Sequence, residues 1–224
     1  MQATFPHLAL WQEVQFSLTG QSLEGRQSIS GAETVIPTLR GRWSASASFV
    51  LKGEGAVLQW QAFLAQMEGR IGTTLVPARS RWRPRDRDGH AIAFCQTGDL
   101  ADAQTHEHFG FDNTLISYMT VAAAAPLRAT QIDVRNLNTT GLRPGQFFSI
   151  GERLHRVQAH WQPGAEGTSR LMFQPPLRAA IGAGARVELG RPVCRMRMVT
   201  EDEGLLDQSM PVLPRAQVKF VEAI

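Results

Sequence analysis

Residue types able to do chemistry are sparse in this chain and gather in a few short stretches. "THEHF" sets His106 and His108 two positions apart, so on an extended backbone both imidazoles share a face, as in a two-histidine arm of a metal site. No Cys-x-x-Cys or His-Glu-x-x-His spacing accompanies them, and the pair reads as exposed polar positions. "DRDGH" carries Asp86, Asp88 and Gly89, a fragment of a calcium-loop pattern, but the remaining oxygen ligands and the closing glutamate are missing, so it reads as a turn. "GAGARVEL" has the glycines of a phosphate-binding loop without its lysine or its following helix, and it too reads as a turn. There is no Gly-x-Ser-x-Gly elbow and no Cys–His pairing in a recognisable context. The expectation is a protein without catalytic residues, resident metal or cofactor.

The strongest chemical signal is cationic. "ARSRWRPRDRDGH", residues 78–90, puts arginine at every second position: Arg79, Arg81, Arg83, Arg85 and Arg87. On an extended backbone these five guanidinium groups form one ridge, with Ser80, Trp82, Pro84 and Asp86 on the opposite face. Nucleic acid is one partner for such a ridge, with Trp82 as a stacking platform. Pro84 and two aspartates interrupt it, however, and no matching basic stripe occurs elsewhere in the chain. Arginine and tryptophan are enriched where protein interfaces carry their energy, so the segment reads as a protein–protein contact ahead of a solvated loop or a nucleic-acid groove.

Composition agrees with that ordering. The 224 residues hold 23 Lys plus Arg against 20 acids, a net charge of +3, well short of the excess of a dedicated nucleic-acid binder. Only Lys52 and Lys219 are lysines, so nearly all positive charge sits on the planar, fork-shaped guanidinium. Cys95 and Cys194 lie in apolar alternating runs and read as buried free thiols. The N-terminal "MQATFPHLALWQEVQF" has no basic start, and no apolar run reaches membrane-spanning length, so a soluble protein without an export signal is expected.

Period-2 alternation dominates the chain and calls for strands. "EVQFSL" alternates Val14, Phe16 and Leu18; "RWSASASFVL" alternates Trp43, Ala45, Ala47, Phe49 and Leu51 against serines. About ten further runs follow the same rule, including "GTTLVPA", "AIAFCQ", "TLISYMTVA", "RLHRVQAHW", "VCRMRMV" and "AQVKFVEA". One segment has the helical period instead: Val57, Trp60, Leu64 and Met67 predict a helix over 55–68, ended by Gly69, with its apolar stripe against a sheet. The alanine run "TVAAAAPLRAT" reads as the passage from one β unit to the next. The fold class is mainly β, with residues 1–125 and 190–224 forming one domain around the helix and residues 126–189 an inserted small barrel of five or six strands. "PRAQVKFVEA" is expected to return to the first domain, since Val218, Phe220 and Ala223 supply an apolar run that the small barrel does not need.

This order of parts resembles a known family. "SGAETVIPTLRGRWSASASFVL", the helix "AVLQWQAFLAQMEGR" and "IGTTLVPA" are similar to the N-terminal unit of tail-tip proteins of long-tailed bacteriophages and gene transfer agents, distal tail proteins in particular. "RPGQFFSIGERLHRVQ", "LMFQPPLRAAIGAGARVEL", "CRMRM" and "VKFVEA" resemble small-barrel stretches of the same minor tail proteins. The resemblance implies a split β-barrel with one packed helix, of the tail-tube type, whose copies join into a hexameric ring between the tail tube protein and the hub or baseplate proteins. It implies a virion protein of the tail tip, assembled in the host cytoplasm, with a central channel for DNA, no stable nucleic-acid binding and no membrane partner. It carries over no catalytic residue.

Two other classes stay open on the residues alone. A carbohydrate-binding β-sandwich would present exposed aromatics, for which Trp11, Trp82 and Trp161 are the candidates. A β-barrel hydrolase would need a titratable cluster, for which "THEHF" and "DRDGH" are the leads.

Overall fold

The structure is a computed structural model of the chain and describes residues 2–23, 35–38, 40–86, 89–92, 117–137, 139–161, 167–206 and 214–224. It divides into two compact units: Met1–Val76 with Cys194–Ile224, and Pro77–Val193. The second is therefore inserted in the first in chain order, and it begins near residue 77 and not at 126.

The first unit contains β1 (Gln2–Ala3), β2 (Leu10–Thr19), β3 (Ser22–Leu23), β4 (Ile36–Pro37), β5 (Arg42–Val50), the helix α1 (Glu54–Met67) and β6 (Thr73–Pro77). In β5 the serine alternation works as written: Trp43, Ala45, Ala47 and Phe49 are buried, while Ser44, Ser46 and Ser48 point the other way. β5 pairs antiparallel with β2 from Leu10↔Val50 to Thr19↔Arg42, with a bulge between Trp11 and Glu13.

The helix buries Ala56, Trp60, Phe63 and Met67. This stripe is turned slightly from the expected one, with Ala56 and Phe63 replacing Val57 and Leu64. The cause is aromatic packing, since Trp60 lies 5.0 Å from Phe49 and Phe63 lies 5.6 Å from Phe5, ring centre to ring centre. The indole N–H of Trp60 donates to the Gly204 carbonyl at 2.8 Å. The helix ends at Met67, two residues before Gly69, with Glu68 already left-handed at φ 46°.

The second unit contributes β7 (Tyr118–Val121), β8 (Gln131–Leu137), β9 (Phe147–Ile150), β10 (Arg153–Trp161), β11 (Thr168–Gln174) and β12 (Arg186–Glu188). These close into an antiparallel barrel in the order β10-β11-β8-β7-β12-β9. Its core holds Met119, Val121, Val134, Phe148, Leu171, Phe173 and Val187. β7 lies in the stretch expected to belong to the first domain. It pairs with β8 at Val121↔Val134 and with β12 at Met119↔Val187, so the barrel cannot close without it. The alanine run is likewise no boundary, because Ala125 bridges to Ile181 inside this unit.

The chain returns to the first unit through β13 (Val193–Met198) and β14 (Arg215–Glu222), completing a six-stranded sheet in the order β1-β6-β13-β14-β5-β2. The sheet is mixed, since β1 runs parallel to β6. The last strand is an inner one: Ala216, Val218 and Phe220 are buried, and β14 pairs with β5 from Arg215↔Val50 to Val221↔Ser44. Cys194 is buried and in no disulfide; Cys95 lies outside the described residues. Among the described residues no helix is long and apolar enough to cross a membrane.

Candidate interface of arginines around Trp82

The arginine segment leaves β6 and runs along the second unit, pinned at both ends. Ala78 is buried and its N–H donates to the Pro192 carbonyl at 2.8 Å; Pro84 is buried as well. Between them the backbone bends. The Trp82 N–H donates to Ser80 Oγ at 3.2 Å, and Gln146 Nε2 donates to the Trp82 carbonyl at 3.2 Å.

That bend corrects the expected ridge. Strict alternation requires an extended strand in a ladder, but the Ser80–Trp82 bond turns the chain and Pro84 can donate to no neighbour. Arg81 and Trp82 consequently lie together, with the guanidinium carbon 6.0 Å from the indole centroid. Trp82 is 76% exposed, so it does not anchor the segment by burial. Arg79, Arg81 and Arg85 are also exposed, and Arg83 is half-buried. Arg87 lies outside the described residues.

Beyond Pro84 the segment forms a small turn. Arg85 bridges to Ala91 and its Nη1 donates to the Gly89 carbonyl at 2.9 Å. Asp86 bridges to Thr139, its Oδ1 accepts the His90 N–H at 2.7 Å, and its carbonyl accepts the Gly89 N–H at 3.2 Å. The Asp86 carboxylate thus serves the turn, as expected for "DRDGH". His106 and His108 lie outside the described residues, and among the described residues no three His, Cys, Asp or Glu side chains converge in a way that could hold a metal.

The fold adds cations to this segment from distant parts of the chain. Arg156 on β10 is paired with Phe147 on β9, and its guanidinium stacks 4.6 Å over the Phe147 ring. Phe147, Trp82, Arg83, Pro84, Leu189 and Pro192 surround a depression of about 20 Å³. That is room for about one water, far below a small-molecule site, so the surface suits a broad contact. Arg191 adjoins it. Burial lowers the pKa of both Arg79 and Arg191, and the positive charge of Arg191 lowers Arg79 further. Among the described residues no acid pairs with Arg81 or Arg83.

Arg156, Arg191 and Phe147 did not stand out in the sequence. The only available signal was the kind of charge: residues 77–193 carry fourteen arginines, no lysine and ten acids, so both lysines and a slight acidic excess fall to the first unit. Of the aromatics considered for sugar binding, Trp11 is packed away, stacked 5.1 Å from Phe5 and edge-on 4.6 Å from Phe49. Trp82 and Trp161 are the exposed pair.

Comparison with protein-family models and with curated protein sequences gives no match.

Proposed function

We propose that the chain is a structural protein of the distal tail of a long-tailed phage or gene transfer agent. Its copies join into a ring, hexameric by the resemblance, that connects the tail tube protein to the hub or baseplate proteins and leaves a channel for DNA. In this reading the first unit is the ring-forming split barrel with its packed helix, and the inserted barrel decorates it.

The observation that carries the reading is β2. This ten-residue strand ends the sheet, and among the described residues no strand pairs with its other edge. Soluble proteins blunt such edges with lysine, proline or bulges. "LWQEVQFSLT" has one charge, Glu13, no lysine and no proline, and its bulge lies at the start, between Trp11 and Glu13. Repetition of one heterologous contact around a closed ring satisfies that edge in every copy. The arginine surface then faces acidic or carbonyl-rich surface of the next copy or the next ring, where guanidinium forks give orientation as well as attraction.

Negative-stain imaging of the protein, together with its tube and hub neighbours, is expected to show six-fold rings. Reversing Arg81, Arg83 and Arg85 to glutamate is expected to abolish assembly while leaving the melting temperature of the isolated chain nearly unchanged. Each exposed pair contributes only about 0.2–1 kcal/mol, but a ring repeats the loss at every interface and reversal adds repulsion. A chain that stays monomeric beside both neighbours refutes the ring. Normal assembly of the triple variant, with loss of a salt-sensitive DNA affinity shown by the parent, would move the arginines to nucleic acid.

A further inference from the structure

The outer face of the inserted barrel carries a second constellation, built across three neighbouring strands. Trp161 on β10 stands directly opposite Arg170 on β11, and Arg170 stands directly opposite Asp133 on β8. Directly opposed residues point to the same side of a sheet, so the three side chains form one row. The row faces outward: Trp161 is 48% exposed, and the Arg170 and Asp133 side chains are 53% and 39% exposed.

Arg170 and Asp133 meet as a fork, Nε to Oδ1 at 2.8 Å and Nη2 to Oδ2 at 3.2 Å. This contact holds the Asp133 carboxyl below the usual carboxylate range and raises the Arg170 pKa, so both stay charged near neutrality. The pair also bounds a cleft of about 300 Å³ whose far wall is Ala123–Pro126, with Gln131 and Ile132 alongside. That volume is at the lower end of small-molecule sites. The wall is small and apolar because alanine supplies it, and it is tied to the barrel where the Ala122 N–H donates to the Asp133 carbonyl at 2.7 Å.

The chemistry selects the ligand. Within the fork the two charges neutralise each other, so the fork itself offers no uncommitted cation to a phosphate or carboxylate and no uncommitted acid to a cationic group. What the fork does offer is a fixed plane with remaining N–H donors on one side and remaining oxygen lone pairs on the other. Gln131 adds one donor group and one acceptor at the cleft. Adjacent hydroxyls, each donor and acceptor at once, match that plane. From the Trp161 strand to the Asp133 strand is two strand spacings, roughly 10 Å, which a disaccharide can bridge. The exposed indole offers a flat apolar face to the C–H side of a pyranose ring while its edge stays wet.

We propose that this row and cleft bind a neutral carbohydrate, one pyranose ring stacked on Trp161 and the adjacent hydroxyls of the next shared between Asp133 and Arg170. A tail-tip protein with this property would touch glycan on its outer barrel, but the site needs no ring to act. Its test is therefore separate from that of the assembly.

The experiment titrates the full chain with maltose, cellobiose, lactose and N,N′-diacetylchitobiose at millimolar concentrations, following tryptophan emission and heat. At least one disaccharide is expected to give a saturable response. Trp161→Ala and Arg170→Lys are each expected to weaken it at least tenfold; the second keeps the charge and loses the fork. Trp82→Ala is expected to keep the response, and circular dichroism checks that each variant retains the parent's melting. The proposal is overturned if no sugar of the panel saturates, if Trp161→Ala binds as the parent does, or if Trp82→Ala removes the response.

Discussion

Acidification is expected to loosen the inserted barrel through one side chain, His155. The imidazole is fully buried between Phe148, stacked at 5.3 Å, and Phe173, edge-on at 4.8 Å. Its Nδ1 lies 2.8 Å from the Pro175 carbonyl, which can only accept, so Nδ1 carries the proton and Nε2 is the bare nitrogen. Nε2 is buried with no partner among the described residues. Charging the ring would place a second N–H, without an acceptor, in an apolar site. Burial is the main cause of a pKa lowered from 6.5 to about 4; the Pro175 bond opposes the shift, and the charges of Arg178 and Arg153 add to it.

Between these values the unfolded chain takes up a proton that the folded barrel refuses, so stability is full above pH 6.5, falls as the pH drops, and levels off below about 4. The difference corresponds to about 3 kcal/mol, a large part of the stability of a small domain. Asp133 contributes in a different window, since its lowered pKa costs stability only below the usual carboxylate range. Urea unfolding between pH 7.5 and 4.5 is expected to show this loss, and His155→Leu is expected to flatten the slope. A variant with the parent's slope, or an imidazole resonance of His155 titrating near 6.5, would refute the reasoning.

Other outcomes follow from the first unit. Truncation after Leu213 removes β14 from the middle of the sheet, where Phe220 and Val218 alone account for about 1.5–3 kcal/mol each of burial. The helix and sheet are expected to lose protease resistance while the barrel keeps its own melting transition; unchanged melting of the helix-bearing unit would contradict the topology. Gly204→Ala is expected to cost about 1–3 kcal/mol in chemical denaturation. A methyl there meets Val218 at 2.9 Å and Trp60 at 3.1 Å on a backbone of φ +78°, and a neutral result would mean that the Trp60 contact with Gly204 yields easily.

What the sequence made legible depended on whether a pattern acts through its own strand or helix. The Trp43–Phe49 alternation and the Trp60–Met67 stripe were readable because the spacing of each buried face is set by the backbone period of its own element. β7 was not, because "YMTV" has no signal for which of two domains will supply its neighbours; only closure with β8 and β12 decides that. The alternating arginines were read as a ridge because alternation names faces only when the backbone is extended, and a serine side chain bends it here. Two cations of that surface, Arg156 and Arg191, lay in residues without local distinction. His155 was passed over because it breaks alternation: Leu154 and His155 are both buried, and the ring finds its place only when Phe148 and Phe173 close around it.

The bond from the Ala78 N–H to the Pro192 carbonyl bears on the order in which the chain matures. The inner strand β14 comes after the insert in chain order, so the sheet of the first unit waits until residues beyond the insert have left the ribosome. The barrel, made of one continuous stretch, can fold while that sheet is incomplete. Once it does, positions 78 and 192 are already clasped, and the closure of a loop of more than a hundred residues, on the order of 4 kcal/mol in chain entropy, has been met before β13 seeks its place beside β6. The insert thereby acts as a folding clamp for its host, and a shorter insert with joined ends would serve the same sheet.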